Sequence, residues 1–408
     1  YKNFYGKTKK EIKNIILIIN HFRSKYDNYF INYPCINRYK NFSLQLNLGQ
    51  FPRYWEKQEV PLINLNLEDR NWKLDLDKDY NYTDLNEFRD LIKVLIPKFI
   101  PKSYFEGYKF LKGEKFTKDW PIKPKCIFTS GGILGDDIFK IWLAQKVQIG
   151  SKLLIGQHGG AYGLSKISFV EDHQVKVSNQ FITWGWERPD FKNLQKFGVL
   201  NDLKSNIKYN SNGKMIVLQN AFPRYGHHMI SFVQSAIQWE KYFEFQCNFL
   251  AKLPNHIIED TVIRIYPKAD YKYNQIQRWQ EKFNNIEIDY CKKTLDKAIQ
   301  NKKLCISTSN TTTMLLTLSW NVPTIILWEP MYWELNNYAK VDLENLKNVG
   351  IFHESEFSAS EHIKNYWQDI NLWWLNKKTQ EARIKFCNKY ANIKKELAKD
   401  LSNLIKKN

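Results

Sequence analysis

The sequence lacks the markers of several common protein classes. It contains no apolar run of about 18 residues, the length that spans a bilayer, and its first residues lack the apolar segment of a signal peptide. A Walker loop, a His-Glu-x-x-His motif and a Gly-x-Ser-x-Gly motif are also missing, which disfavours P-loop nucleoside triphosphatases, zinc hydrolases and serine hydrolases. We therefore predict a cytoplasmic protein. Since the chain does not begin with methionine, we expect it to lack an N-terminal portion.

Cysteine is scarce and dispersed. The six cysteines stand singly, without a Cys-x-x-Cys pair or a histidine at ligand spacing, so neither a disulfide framework nor a zinc site is predicted. Cys126 and Cys305 lie in apolar runs typical of strands, where a cysteine is usually a small buried side chain. We expect reduced thiols, no metal site and no cofactor.

Acidic residues are outnumbered. The 61 lysines and arginines against 42 aspartates and glutamates give a net charge of +19, which is enough to attract an anionic partner. The lysines are spread in small groups, and their abundance beside asparagine and isoleucine is also expected from an AT-rich coding sequence. A nucleotide-bearing substrate and an anionic membrane surface are both compatible with this charge, and we do not expect nucleic acid as the partner.

Periodicity predicts an α/β protein with two domains. Apolar residues at helical spacing predict helices over 8–30 and 85–100, and from Lys125 short apolar strands alternate with helices. That alternation indicates a parallel sheet flanked by helices. We predict an N-terminal α/β domain over 1–200, a polar linker over 201–213, a second Rossmann-like domain over 214–357 and a helical tail over 358–408.

The second domain has a clear strand and helix pattern. Its predicted strands are Met215–Leu218, Val262–Tyr266, Ile286–Ile288, Leu304–Ser307 and Thr324–Leu327, with helices around 228–250, 273–284, 294–301 and 310–319. Two such domains form a cleft, and open parallel sheets bind ligands at the carboxyl ends of their strands. We expect two Rossmann-like domains facing a cleft, with extra helices at both ends.

A hydroxyl-rich turn ends one predicted strand of the second domain. Ser307, Thr308, Ser309, Asn310 and Thr311 open a segment whose apolar residues recur at helical spacing. Free backbone N–H groups, hydroxyls and the positive end of a helix dipole together suit a phosphate. One serine or asparagine is enough to cap a helix, so the run of polar residues favours a phosphate site over capping alone.

A glycine-rich sequence, Gly-Gln-His-Gly-Gly-Ala-Tyr-Gly at 156–163, directly follows a predicted strand. Glycines there let the backbone approach a ligand closely. His158 can donate to a phosphate oxygen or accept a proton, and is the first candidate for a catalytic residue. The alternative is a tight turn with a structural histidine. The candidates for substrate binding in this segment are Gln157, Gly159, Gly160 and Tyr162.

Two carboxylates and a tryptophan lie nearby in the sequence. Glu171 and Asp172 offer a general base for an acceptor hydroxyl, although a solvated charged turn is an equal alternative. Trp184 follows another apolar strand, where it can stack on a sugar or a base, although packing is the commoner use of tryptophan.

Cations and a carboxylate end strands of the second domain. Arg264, Pro267 and Lys268 lie at one strand end, where the two cations can neutralise phosphate charge. For Arg264 a structural ion pair is an equal alternative. Glu329 follows a later strand and can accept hydrogen bonds from ribose or sugar hydroxyls.

As an ordered set, the motifs resemble the transferase family found in leptospiral-type O-antigen loci. The match runs from about Tyr54 to Tyr390. Its motifs are Ile127-Phe128-Thr129-Ser130, the glycine-rich sequence at 156–163, Phe181-x-Thr183-Trp184-Gly185-Trp186, Arg264-x-Tyr266-Pro267, Ser307-Thr308-x-Asn310-x-Thr312, Asn321-x-Pro323-Thr324 and Gly350-Ile351-Phe352-His353. The resemblance implies a GT-B glycosyltransferase of bacterial surface-polysaccharide synthesis.

The chain is more distantly similar to bacterial sialyl-, Kdo- and nonulosonate transferases, which use CMP-activated sugars. There a His-Pro strand end and a Ser-Ser/Thr turn hold the cytidine nucleotide. Tyr266-Pro267 and Ser307-Thr308 occupy comparable places here, with tyrosine instead of histidine. This similarity implies a nucleotide-sugar donor, with a CMP-sugar favoured, in the C-terminal domain. It places His158 and Glu171 on the acceptor side or at the cleft.

From these expectations we predict a metal-independent glycosyltransferase that uses a nucleotide-sugar donor and a lipid-linked or oligosaccharide acceptor of O-antigen or lipopolysaccharide type. Its basic surface can hold it at an anionic inner membrane. Two alternatives remain open. One is a nucleotide-sugar epimerase or non-glycosyl transferase of the same fold, and the other is a non-catalytic basic binding or scaffold protein.

Overall fold

A computed structural model describes residues 25–53, 68–72, 74, 86–200, 207–223, 225–226, 230–266 and 273–408. By internal contacts these residues form two compact units. One contains the described residues within 25–34, 45–152 and 405–408, and the other those within 35–44 and 153–404. In the described part of the chain, no helix combines the length and apolar character needed to cross a bilayer.

The described residues form eleven strands. They are β1 (Tyr29–Asn32), β2 (Cys126–Thr129), β3 (Lys152–Gly156), β4 (Gln180–Thr183), β5 (Leu194–Lys196), β6 (Met215–Leu218), β7 (Thr261–Arg264), β8 (Glu287–Asp289), β9 (Leu304–Ser307), β10 (Thr324–Leu327) and β11 (Phe352–His353).

Fifteen α-helices are described. They are α1 (Arg38–Asn47), α2 (Asn86–Phe99), α3 (Tyr108–Leu111), α4 (Asp137–Gln148), α5 (Phe169–Val177), α6 (Ala236–Ala251), α7 (Asn255–Glu259), α8 (Gln275–Lys282), α9 (Leu295–Ala298), α10 (Thr312–Ser319), α11 (Asn337–Lys347), α12 (Glu356–Tyr366), α13 (Ile370–Trp374), α14 (Lys377–Tyr390) and α15 (Leu397–Lys407). Short 3-10 turns cover Lys102–Tyr104, Glu114–Phe116, Gly132–Leu134 and Pro330–Tyr332.

Among the described strands, β1–β5 and β6–β11 pair only within their own set. In the first unit β1 pairs with β2, and in the second unit β3, β4 and β5 pair in that order. The other strands form a six-stranded sheet in the order β11-β10-β9-β6-β7-β8. Every one of these pairs is parallel, which confirms the prediction of two parallel-sheet α/β domains.

The central strands are buried on both faces. All four residues of β2, β6, β9 and β10 are buried, as expected for parallel strands covered by helices. Cys126 and Cys305 are 1% and 0% exposed, and burial raises the pKa of each thiol to about 12. Both cysteines therefore have the packing role that the sequence predicts. One core cluster around β6 and β9 contains Ile216, Leu218, Val262, Cys305, Trp320 and Val322.

The predicted elements of the second domain agree well with the structure. The strands Met215–Leu218, Leu304–Ser307 and Thr324–Leu327 coincide with β6, β9 and β10. The predicted tail helix over 358–407 is correct in type, but it is divided into α12, α13, α14 and α15. New helices start where Asp369 and Asn376 accept hydrogen bonds from the following turn.

Other predicted elements need correction. The predicted helix over 8–30 lies mostly outside the described residues, but its end is wrong because Tyr29–Asn32 is strand β1. Phe30 there is fully buried against Trp120 and Trp142, so tertiary packing overrides the helical spacing. Residues 201–206 of the predicted linker lie outside the described part of the chain, and the predicted domain boundaries stay a prediction.

Candidate functional site

The order in which the chain adds strands to the larger sheet changes side between β6 and β9. The chain leaves β6 toward β7 on one side, while β9 lies on the other side, with Leu218 paired to Ser307. The carboxyl ends of both strands therefore meet at a topological switch point, the usual ligand site of an open parallel sheet. Asn220 Nδ2 donates to Ser309 Oγ across this point at 3.4 Å.

The residues that follow β9, Ser307–Thr313, are named here the polar turn. The Thr308 hydroxyl is engaged within the protein. Its Oγ1 donates to the Leu218 carbonyl at 2.8 Å and accepts from Tyr242 Oη at 2.6 Å. Asn310 Nδ2 donates to Ser165 Oγ at 3.2 Å, and its buried Oδ1 has no partner among the described residues. These two side chains anchor the turn.

Helix α10 begins in the polar turn without a side-chain cap. Thr311 occupies the N-cap position, but its side chain does not accept from the first turn of the helix. Instead, its Oγ1 lies 2.9 Å from Ser309 Oγ and 3.4 Å from Thr313 Oγ1. Side chains do cap α4, α5, α6 and α11. The N–H groups that open α10 therefore lack a side-chain partner, and the hydroxyls of the half-buried Thr311 and Thr313 lie beside them, an arrangement that suits an anion.

A second loop lies against this helix end. It is the glycine loop, Gly156–Gly163, which follows β3. Gly160 N donates to Thr312 Oγ1 at 2.8 Å, and a Cβ on Gly160 would come within 2.4 Å of the Thr311 and Thr312 backbone. Only glycine permits this approach. The predicted histidine loop and the predicted phosphate turn are thus in direct contact.

Gln157 and Trp184 form the frame of the glycine loop. Gln157 is fully buried, and its Oε1 accepts from Trp184 N at 2.9 Å and from Trp186 Nε1 at 2.8 Å. Its Nε2 donates to the Gly159 carbonyl at 2.8 Å, while Trp184 Nε1 donates to the Gln157 carbonyl at 2.9 Å. Trp184 is 0% exposed, so its ring has no free face for a sugar, and both residues hold the loop in shape.

His158 is half-buried within the glycine loop. Its Nδ1 lies 3.0 Å from Tyr162 Oη, and the two rings meet edge to face at 5.2 Å between centroids. Burial lowers the pKa of the imidazole, so His158 is neutral near pH 7. A neutral imidazole can accept a proton from a hydroxyl group.

Glu171, a candidate general base, lies on α5, so the alternative of a solvated charged turn is wrong. Ser168 begins this helix by accepting from Glu171 N at 3.3 Å. The buried Glu171 carboxylate accepts from Gly163 N at 2.8 Å and lies 3.4 Å from Arg188 Nη1. Burial raises the pKa of Glu171 to about 7, against the opposing effect of Arg188. Its neighbour Asp172 is half-buried.

Substitution of Glu171 by glutamine is expected to flatten the pH dependence of stability. Because the pKa of Glu171 is raised from 4.5 to about 7, the folded protein keeps a proton that the unfolded chain releases. The corresponding stabilisation is complete below pH 4.5 and is lost as the pH rises through 7. Between about pH 5 and about pH 8, the free energy of unfolding measured in urea should fall more for the native protein than for Glu171→Gln. Equal falls, or the same flattening in Asp172→Asn, contradict this prediction.

The candidate cations and Glu329 have different surroundings. Arg264 is buried in an ion pair with Asp289 and also donates to the Lys293 carbonyl at 2.6 Å, so its charge is already neutralised. Pro267 and Lys268 lie outside the described residues. Glu329 is half-buried directly after β10, where it precedes the short turn Pro330–Tyr332.

A cavity of about 370 Å³ opens beside the segment that follows β10. Glu334 at its edge forms an ion pair with Lys166 at 2.7 Å, and Lys166 N donates to the Glu334 carbonyl at 2.9 Å. These contacts join the segment that follows the glycine loop to the segment that follows β10. The lining includes Lys166, Trp328, Trp333, Glu334, Lys340 and Glu354.

Several residues that shape the site were missed in the sequence. Tyr242 lies on a helix far from both loops in sequence, Gln174 lies on the helix that follows the glycine loop, and no local pattern marks either residue. Thr313 continues the hydroxyl run one residue beyond its expected end at Thr312. The continuation of the hydroxyl run into the first turn of α10 is the sequence signal that points to this residue.

Comparison with known proteins identifies the family. Among solved structures, the chain is similar to MurG of Acinetobacter baumannii (11% identity, TM-score 0.41, covering 74% of this chain and 78% of that chain). It is also similar to WaaG, a glycosyltransferase involved in lipopolysaccharide biosynthesis (10%, 0.35, 92% and 98%), and to HepE of Anabaena in complex with UDP and glucose (8%, 0.43, 76% and 83%). At such low similarity, none of these structures assigns a residue role to this chain.

No curated protein matches the sequence. The family model described as LIC12162 family transferase matches residues 1–405, nearly the whole chain. The protein therefore belongs to the LIC12162 family of transferases.

Proposed function

We propose that this transferase moves a sugar from a nucleotide-activated donor to a hydroxyl group of a saccharide acceptor. The observation that carries the proposal is the hydrogen bond from Gly160 N to Thr312 Oγ1. It holds the loop of His158, a candidate proton acceptor, against the uncapped start of α10, a candidate phosphate site. Glycosyl transfer from a nucleotide sugar needs both functions at one place.

At the donor end, the leaving phosphate is proposed to lie at the start of α10. Backbone N–H groups of the first turn and the hydroxyls of Ser309, Thr311 and Thr313 would stabilise the charge that develops on it. Ser307, Thr308 and Asn310 hold the turn in place, and Ser309, which is as buried as they are, can reach the phosphate only from the inner side of the turn. Arg264 contributes to the sheet edge through its ion pair with Asp289.

At the acceptor end, His158 is proposed to remove the proton from the attacking hydroxyl. Burial lowers the pKa of His158, so its imidazole is neutral near pH 7 and can accept a proton. The residue is half-buried. Gln157, Trp184 and Glu171 shape the loop around it.

A finer proposal concerns the identity of the substrates. The resemblance to transferases of nonulosonate sugars favours a CMP-sugar donor and an O-antigen or other surface-polysaccharide acceptor. The net charge of +19 fits an enzyme that works at an anionic inner membrane on a lipid-linked acceptor.

Removing one hydroxyl of the polar turn is expected to weaken nucleotide binding. Thr311→Val keeps the shape of the side chain but loses a donor, and a hydrogen bond to a charged group contributes about 1.5–3 kcal/mol, or about tenfold or more in Kd. Calorimetric titration with CMP, UDP and GDP gives the affinity. Ser319→Ala, at the other end of α10, is the matched control and should bind like the native protein. Equal affinity of Thr311→Val and the native protein contradicts the placement of the phosphate.

A donor panel tests the function itself. Release of CMP, UDP or GDP from a nucleotide sugar, in the presence of a saccharide acceptor, is the expected result. Conversion of the sugar without release of nucleotide would instead support an epimerase. If no nucleotide binds while DNA or RNA binds with a steep salt dependence, the proposal that this transferase moves a sugar fails.

A further inference from the structure

His158, Tyr162 and Gln174 form one line of hydrogen bonds. Tyr162 Oη lies 3.0 Å from His158 Nδ1 and donates its proton to Gln174 Oε1 at 2.9 Å. A tyrosine hydroxyl has one proton, so Tyr162 can only accept from His158. With the Gln174 amide in this orientation, the proton of the neutral imidazole belongs on Nδ1, and Nε2 is left unprotonated.

We infer that Tyr162 is a positioning residue that fixes His158 in the Nδ1–H tautomer and so directs Nε2 to act as the base. This inference rests on the proposed function for the identity of the proton donor. It goes beyond that function, because it assigns the two ring nitrogens of His158 and gives the buried pair Tyr162 and Gln174 a part in the reaction.

The step balances as a single displacement. Nε2 takes the proton of the acceptor hydroxyl, and the oxygen forms a bond to the anomeric carbon of the donor sugar. The bond from that carbon to the phosphate oxygen breaks, and the nucleotide leaves with the bonding electrons. His158 ends as an imidazolium whose Nδ1–H still donates to Tyr162.

The surroundings hold Tyr162 in place. It is 7% exposed, and its ring stacks on Phe181 at 5.9 Å between centroids. Burial raises the pKa of the Tyr162 hydroxyl, and the titratable groups that face it, Glu171 on α5 and Cys35, raise this pKa further. Arg188 faces Glu171 in turn. Tyr162 therefore stays protonated, as the hydrogen bond to Gln174 requires.

The tautomer can be measured without any assay of activity. In nitrogen-15 NMR of protein labelled at histidine, the signals that disappear in His158→Gln are those of His158. We expect the native protein to show Nδ1 protonated and Nε2 bare. A native His158 protonated at Nε2 overturns the inference.

Gln174→Leu supplies a sharper test because it keeps Tyr162. Without the Gln174 oxygen, the tyrosine proton turns toward His158 Nδ1, and the imidazole proton must move to Nε2. We expect NMR of this variant to show His158 protonated at Nε2 and unprotonated at Nδ1. An unchanged Nδ1–H pattern overturns the inference.

Kinetics separate positioning from structure. Tyr162→Phe keeps the ring packing, so the Kd for nucleotide should stay native while kcat falls about tenfold to a hundredfold, within the range attributed to general base catalysis. The matched control is Tyr209→Phe, because the buried hydroxyl of Tyr209 has no partner among the described residues. A native kcat for Tyr162→Phe overturns the inference. The proposed function fails separately if the donor panel releases no nucleotide, whatever tautomer NMR records.

Discussion

Replacing His158 by alanine should lower turnover by about two to four orders of magnitude, which is the usual contribution of a general base. The fold and the affinity for nucleotide should stay native, because His158 is half-buried and the hydrogen bond from its loop to the polar turn comes from the Gly160 backbone, which the substitution leaves unchanged. Nucleotide release under saturating donor and acceptor gives kcat, and calorimetry gives Kd.

His173→Ala is the matched control for this experiment. His173 lies exposed on α5, close to Glu171 in sequence, and its removal should leave turnover unchanged. Loss of the folded state in His158→Ala would identify a structural histidine. Native turnover in a well-folded His158→Ala would exclude His158 as the base.

Gly160→Ala should both destabilise the protein and weaken nucleotide binding. The new Cβ would lie 2.4 Å from backbone atoms of Thr311 and Thr312, so either the loop or the start of α10 must move. Forced insertion of one carbon into a packed site costs about 1–3 kcal/mol. Urea unfolding measures the loss of stability, and a nucleotide titration measures the loss of affinity.

Two other glycines provide a graded comparison. A Cβ on Gly135 meets nothing within 4 Å, so Gly135→Ala should leave nucleotide binding unchanged. A Cβ on Gly159 would lie 3.2 Å from Thr312 Oγ1, a side-chain atom that can shift, so its effect should fall between the other two. If Gly160→Ala behaves like Gly135→Ala, the loop does not rest on α10 as described.

The strands at the site could be predicted because they are buried on both faces. Leu304–Ser307 and Thr324–Leu327 are short apolar runs with polar turns after them, and a pattern of this kind depends on the local sequence alone. Helix α5 was not predicted, because its charged first turn depends on the Ser168 cap and on burial of Glu171. That burial depends on Arg188 and Gly163, which are distant from the turn itself.

The residue types at the site could be predicted more readily than their roles. Gln157 and Trp184 were expected to contact substrate, yet each satisfies the other through hydrogen bonds across 27 sequence positions. Arg264 was equally suited to a phosphate or an ion pair, and the presence of Asp289 on the neighbouring strand decided it. Such partners are set by strand order, which a single sequence does not reveal.

The contact between Gly160 and Thr312 also bears on how the protein folds. It joins residues 152 positions apart, so its formation closes a very long loop of chain. The entropic cost of that closure must be met by the sheets and helices between them, because one hydrogen bond contributes far less. The candidate site therefore needs both segments, and fragments that carry only one of them should not possess it.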